Sequence, residues 1–193
     1  MLIYLLLGLL VFLCVHSIRI FAEDWRGQSI ERLGVALWKV LYSAVSLVGF
    51  VVIVWGYGVA RQQPVQLWNP PLGMPHLAAL LTWLAFVLLA ATYIPRNHFR
   101  ARWHHPMLLA TQFWALAHLV ANGTLAGVVL FGSFLVWAIV MFANARQRDR
   151  REGVRYAPGL LSRSVASVLV GTLAWAAFAF WLHGLLIGIL PLS

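Results

Sequence analysis

GVALWKVLYSAVSLVGFVVIVWGYGVA, residues 34–60, carries one charged side chain, Lys39, in 27 positions. As a helix rising 1.5 Å per residue the run is about 40 Å long, more than the roughly 30 Å hydrocarbon core of a bilayer. A single segment in lipid satisfies its backbone N–H and C=O groups only by bonding within itself, so the stretch reads as a transmembrane helix. Working outward, five more apolar segments follow the same rule: Leu2 to Ile20, His76 to Pro95, Pro106 to Asn122, Thr124 to Ala143 and Ser164 to Leu190. The fourth and fifth are separated only by the turn dipeptide Asn122-Gly123 and are read as a tight hairpin of two helices. The expected fold is an all-α, polytopic six-helix transmembrane bundle.

Composition agrees. The 193 residues are 62% hydrophobic and 10% charged, against about 25% charged in a soluble domain. The single cysteine, Cys14, excludes an internal disulfide framework. The first segment lacks a basic region ahead of its apolar run and a small-residue cleavage site behind it, so it reads as a retained helix, not a secretory signal. The chain is expected to be one transmembrane domain over residues 1–193, with a basic cytoplasmic loop at 146–163 and the last helix at 164–190.

The net charge of +9 invites comparison with nucleic-acid binders, but the positions of the bases give another account. Thirteen of the fourteen fall in connections one, three and five, at 19–39, 96–102 and 146–163, and only Arg61 falls elsewhere. The positive-inside bias marks those connections as cytoplasmic and both termini as periplasmic. The run Arg146 to Arg151 then reads as a topology signal in contact with anionic lipid, with no nucleic-acid partner. Glu23, Asp24 and Glu31 are expected to pair with Arg26 and Arg32.

Polar groups inside hydrocarbon are costly and mark function by default. His16 lies about one turn before Arg19 on the first segment, and His118 lies near the middle of the fourth. At intervals of three and four, His118 shares a stripe with Thr111, Trp114, Ala115 and Asn122, and His16 shares one with Gly8, Phe12 and Arg19. The second segment presents Lys39, Tyr42, Ser43, Ser46 and Gly49, and the sixth presents Ser164, Ser167, Gly171, Ala174 and Phe178. Such faces either seat helices closely against one another or make room for a flat ligand. An intramembrane histidine accordingly has two readings, an interhelical hydrogen bond or an axial ligand to haem iron. Arg19 and Lys39 are candidate partners for haem propionates, or snorkel to the headgroups. Zinc is disfavoured: no H-E-x-x-H occurs, and adjacent His104 and His105 would diverge on a helix.

The residues that stand out together are His16-Ser17 followed by Arg19, Leu41-Tyr42-Ser43 to Ser46-Leu47, Trp68-Asn69-Pro70-Pro71, His105-Pro106-Met107-Leu108, and Trp114-Ala115-Leu116-Ala117-His118-Leu119-Val120-Ala121-Asn122-Gly123. Over about the first 145 residues the sequence resembles the NnrU family of bacterial integral membrane proteins, and more distantly the plant 15-cis-zeta-carotene isomerases. The first resemblance implies a link to nitrite and nitric oxide reduction in the bacterial inner membrane. The second implies haem b held by two histidines, which match His16 and His118. A cysteine that takes part in ligand exchange in the isomerases is Ala115 here, so carotene isomerisation loses its labile ligand while bis-histidine ligation stays open.

The reading is a haem b-binding membrane protein engaged in electron transfer or redox sensing with a membrane redox partner. Haem would lie among the first, second, fourth and sixth segments, with His16 and His118 as iron ligands, Arg19 and Lys39 at the propionates, and Ser43, Ser46, Trp114 and Asn122 lining the site. His118, entered from Pro106, is about 18 Å deep, well below the level of His16, so His105 is the replacement ligand if tilt does not absorb the difference. The alternatives are a haem-dependent isomerase of a polyene lipid and a non-haem accessory or assembly protein.

Overall fold

Apolar helices dominate the computed structural model, which describes residues 2–191. In chain order they are α1 (Leu2–Phe21), α2 (Glu23–Ala60), α3 (Met74–Tyr93), α4 (His98–Trp103), α5 (Pro106–Ala121), α6 (Leu125–Arg151) and α7 (Leu161–Ala177), followed by a π-helical turn (Phe178–Leu182) and α8 (His183–Ile187). Five helices are long and apolar enough to cross a membrane: α1, α2, α3, α6 and the continuous run Leu161–Ile187. The fourth expected span, α5, is apolar but has only 16 residues, about 24 Å of helix. Large apolar side chains lie open along these helices, among them Leu10, Val40, Leu47 and Leu173. A surface of that kind is stable against lipid and not against water.

Two expectations about connections are corrected. The first was read as a loop up to Gly34, yet α2 begins at Glu23 and its axis is interrupted only at Gly34, at φ 77 and ψ 155. Glu23 and Asp24 in its first turn complement the helix dipole, and glycine alone adopts the interrupting geometry without strain. Trp25 and Trp38 meet edge to face across the break, with ring centroids 5.6 Å apart. Glu23 approaches both Arg26, at 3.2 Å, and Arg19, at 3.9 Å, whereas Asp24 and Glu31 have no base within 4 Å among the described residues. The other correction concerns 146–163. Helix α6 continues to Arg151, its last turn holding Arg148, Arg150 and Arg151 where cations suit the dipole, and irregular chain occupies only the stretch before Leu161. The Asn122-Gly123 break is present as expected, between α5 and α6.

The chain divides into two compact units. The first comprises residues up to Trp68 with Thr124–Ser133; the second comprises Asn69–Gly123 with Phe134 onward, so that α6 contributes to both. In the first unit α1 packs along α2. A Cβ on Gly8 would lie 2.6 Å from the Ile53 nitrogen, one on Gly49 2.9 Å from the Phe12 nitrogen, and one on Gly56 2.5 Å from the Leu5 nitrogen. The two backbones therefore touch from Leu5 to Phe12 of α1. At its Ala60 end, Leu125 N–H donates to the Val65 carbonyl at 2.9 Å, and Gln66 bridges Thr124.

In the second unit α3 packs against both α5 and α7. A Cβ on Gly171 of α7 would lie 2.5 Å from Val87 Cα, so the small stripe of the sixth segment is used to seat α7 on α3. Reciprocal bonds flank that seam: Trp83 Nε1 donates to Thr172 Oγ1 at 2.9 Å, and Trp175 Nε1 donates to Thr82 Oγ1 at 3.1 Å. One end of this unit is tied by polar contacts. Asn97, fully buried, donates to the Ala91 and Ile94 carbonyls and accepts from Arg100 N–H, capping α4. His98 N–H donates to Ser164 Oγ at 2.9 Å, and Leu160 N–H donates to the Arg96 carbonyl at 2.7 Å. These bonds bring the C-terminal end of α3, α4 and the start of α7 together.

Candidate functional site

His16, on the α1 face turned to α2, stacks on Phe12 with centroids 4.1 Å apart and meets the edge of Tyr42 at 5.4 Å. Its Nδ1 lies 2.7 Å from the Phe12 carbonyl oxygen. A carbonyl only accepts, so Nδ1 carries the proton and, in the neutral ring, the lone pair is on Nε2. One turn from Tyr42 along α2, Ser46 Oγ is buried without a hydrogen-bond partner. The first unit thus brings together His16 and Tyr42, with Ser46 one turn along α2. Arg19, Lys39 and Ser43 are exposed, and Arg19 lies 3.9 Å from Glu23. Tyr42 was legible in the stripe but was not singled out; its spacing of four from Ser46 was the available signal.

His118 repeats the local device in the second unit. Its Nδ1 lies 2.8 Å from the Trp114 carbonyl oxygen, again one turn back, which again leaves the lone pair on Nε2. The Trp114 ring packs on His118 at 5.2 Å and meets Phe134 of α6 edge to face at 5.5 Å. Ala115 is fully buried, and Asn122 is the C-cap of α5. His16 and His118 therefore sit in different units, each with Nδ1 bonded to a backbone carbonyl and the Nε2 lone pair available as a donor to a metal or an acceptor for a hydrogen bond.

A second constellation was not anticipated. His104 ends α4 at φ 68, in the left-handed region, and Pro106 opens α5 two residues later. The expectation that His104 and His105 diverge assumed a continuous helix; at this break both rings turn to Asp149 of α6. His105 Nε2 donates to Asp149 Oδ2 at 2.8 Å, and Tyr156 Oη donates to the same oxygen at 2.9 Å. His104 Nδ1 is 3.6 Å from that oxygen, is buried and has no hydrogen-bond partner, while its ring stacks on Tyr156 at 4.1 Å. Burial pushes the His105 imidazole below its ordinary value, outweighing the opposing pull of the Asp149 carboxylate. The Tyr156 phenol is pushed up to about 12 by burial, reinforced by its bond to Asp149 and the charge there. Beside the cluster lies a cleft of about 260 Å³ lined by Thr92, Arg100, His104, His105, Pro106, Met107 and Leu108. Among the described residues no group of three or more His, Cys, Asp or Glu side chains is arranged to hold a metal ion.

Compared with known proteins, residues 4–191 match the family described as NnrU protein, nearly the whole chain and well beyond the first 145 residues that carry the recognisable motifs. No curated protein and no solved structure matches.

Proposed function

The chain belongs to the NnrU family, and from that premise we propose that it is a haem b-binding protein of the bacterial inner membrane, with His16 and His118 as the two axial ligands. The supporting observation is the shared local geometry. Both imidazoles bond through Nδ1 to the carbonyl one turn back, which orients the ring, fixes the tautomer and raises the basicity of Nε2.

The remaining residues take subordinate roles. Phe12, Tyr42 and Trp114 hold the two rings in place. Ser46 of α2, with a buried hydroxyl that has no hydrogen-bond partner among the described residues, and Asn122, the C-cap of α5, are polar groups that would line the site. Of the two propionate candidates, Lys39 is the better placed, because no carboxylate among the described residues lies within 4 Å of it, whereas Arg19 already faces Glu23. Haem supplies one-electron chemistry, and with both axial positions taken by protein it serves electron transfer or redox sensing, with a membrane redox partner in nitrite or nitric oxide reduction or in respiration. Ala115 offers no labile ligand for isomerisation of a polyene.

The topology follows in the same reading. The pairs His105 with Asp149, Gln112 with Ala138, and Trp114 with Phe134 set α5 antiparallel to α6, so α5 runs back along a helix long enough to cross. Six crossings and the positive-inside bias then assign the basic end to the cytoplasm and both termini to the periplasm.

Absorbance spectroscopy of detergent-purified protein from haem-replete cells tests the proposal. A Soret band with sharp alpha and beta bands on reduction is expected, and it should be lost in both His16→Ala and His118→Ala. A wild-type protein that carries no Soret band refutes haem binding; a spectrum unchanged by either substitution refutes that ligand.

A further inference from the structure

The second unit gathers more positive charge at one end than its acids can meet. Asp149 answers His105 and Tyr156. Arg100, which lines the neighbouring cleft, has no carboxylate within 4 Å among the described residues, and His104, on the same lining, has its Nδ1 buried 3.6 Å from Asp149 Oδ2. Pro106, Met107 and Leu108 complete the lining. The cleft thus combines a guanidinium with apolar side chains.

Its depth in a bilayer can be read from its neighbours. It lies where α3 ends, α4 turns and α5 begins, beside the basic last turns of α6. Tyr93 at the end of α3 and Trp103 at the end of α4 are exposed there, and exposed aromatics of this kind belong at the level of the headgroups. A volume of about 260 Å³ is below that of ordinary small-molecule sites, so it accommodates a headgroup and not a whole lipid.

We infer that this cleft binds a phosphate group, carried by an anionic phospholipid of the surrounding leaflet, with Arg100 as the principal donor, His104 beside it, and the acyl chains leaving along Met107 and Leu108. Basic pockets at helix ends recognise anionic headgroups in this way, and a guanidinium engages a phosphate through two parallel hydrogen bonds. The site is independent of haem.

The test is native mass spectrometry of the full-length protein in detergent doped equally with phosphatidylglycerol and phosphatidylcholine. Wild type should retain one phosphatidylglycerol in preference to phosphatidylcholine. Arg100→Gln should lower that retention about tenfold, as loss of a charge-assisted pair implies. Arg100→Lys should keep the preference for the anionic lipid, and Arg150→Gln, an exposed base on the last turn of α6, should leave retention unchanged. Equal retention of the two lipids overturns the inference. So does an equal loss with Arg150→Gln, which would mean diffuse attraction, and so does complete displacement by millimolar inorganic phosphate, which would mean a site for the free anion.

Discussion

The seam between α1 and α2 and the seam between α3 and α7 solve the same problem by different means. Both bring backbones into contact through glycine: Gly8, Gly49 and Gly56 in the first unit, Gly171 in the second. The second adds two reciprocal Trp-to-Thr hydrogen bonds and, at one end, the bond of His98 to Ser164. In the first seam His16 bonds to the Phe12 carbonyl of its own helix and meets the Tyr42 ring of α2 edge-on, and Ser46 Oγ is buried without a hydrogen-bond partner among the described residues. In lipid no hydrophobic force drives helices together, so shape and interhelical hydrogen bonds are the available means. The first unit seats its helices through close glycine contacts. The second uses polarity as adhesive.

The contrast fails or holds most visibly at Gly56. A leucine there must displace the backbone at Leu5, not a flexible side-chain tip, and over-packing of this type costs about 1–3 kcal/mol or more. Gly56→Leu should open the first unit, seen as faster hydrogen exchange along α1 and α2, while α3 and α7 stay protected. Exchange that rises equally in both units would show that the two seams are not separate supports. A smaller effect is expected from Trp83→Phe combined with Thr172→Val. Interhelical bonds in membranes average about 0.6 kcal/mol and reach about 1.7 kcal/mol. The double variant should lower unfolding stability in mixed micelles by an amount in that range, and a double-mutant cycle should assign most of it to the coupling. A coupling of zero would mean that the second seam, too, is held by shape alone.

Much of this was legible in the sequence because lipid imposes a simple rule on composition. The spans, the Asn122-Gly123 break and the stripes holding His16 and His118 all follow from apolar length and helical period. Gly34 marked a boundary correctly, but the polar helix before it escaped notice, since Glu23 to Leu33 buries no apolar run and only its acidic first turn announces it. The Ser164, Ser167 and Gly171 stripe was seen as small without showing its neighbour; periodicity identifies a face, and only the fold says that α3 fills it. The ends of α6 and α7 were misjudged for a related reason, because charged residues that end an apolar span need not end the helix. The Asp149 cluster was hidden altogether. Its members are separated by 44 positions between His105 and Asp149, and they converge only because His104 adopts a left-handed conformation that no local motif predicts.

That cluster supplies the smallest expected effect and the sharpest distinction between the units. The groups facing His105 are Asp149, Arg148, His104 and Tyr156, with Phe142 against its ring. Burial holds the His105 imidazole below its ordinary value, so as pH falls through about 6.5 the opened form takes up a proton that the closed form refuses. The contact is therefore at full strength above that pH and weakens below it. Tyr156 has the opposite sign: its phenol, raised to about 12, contributes fully below about pH 10 and loses its bond to Asp149 only as pH climbs through its raised value. Of these two groups, only His105 changes state between about pH 7.5 and about pH 5.5. Hydrogen exchange over residues 146–160, corrected for intrinsic rate, should accelerate a few-fold across that interval, and His105→Asn should flatten the response. Residues 5–13 of α1, which carry no titratable side chain, should show no such dependence. A flat profile over 146–160, or an equal acceleration in α1, would remove the distinction between a unit held by shape and one held by titratable polar contacts.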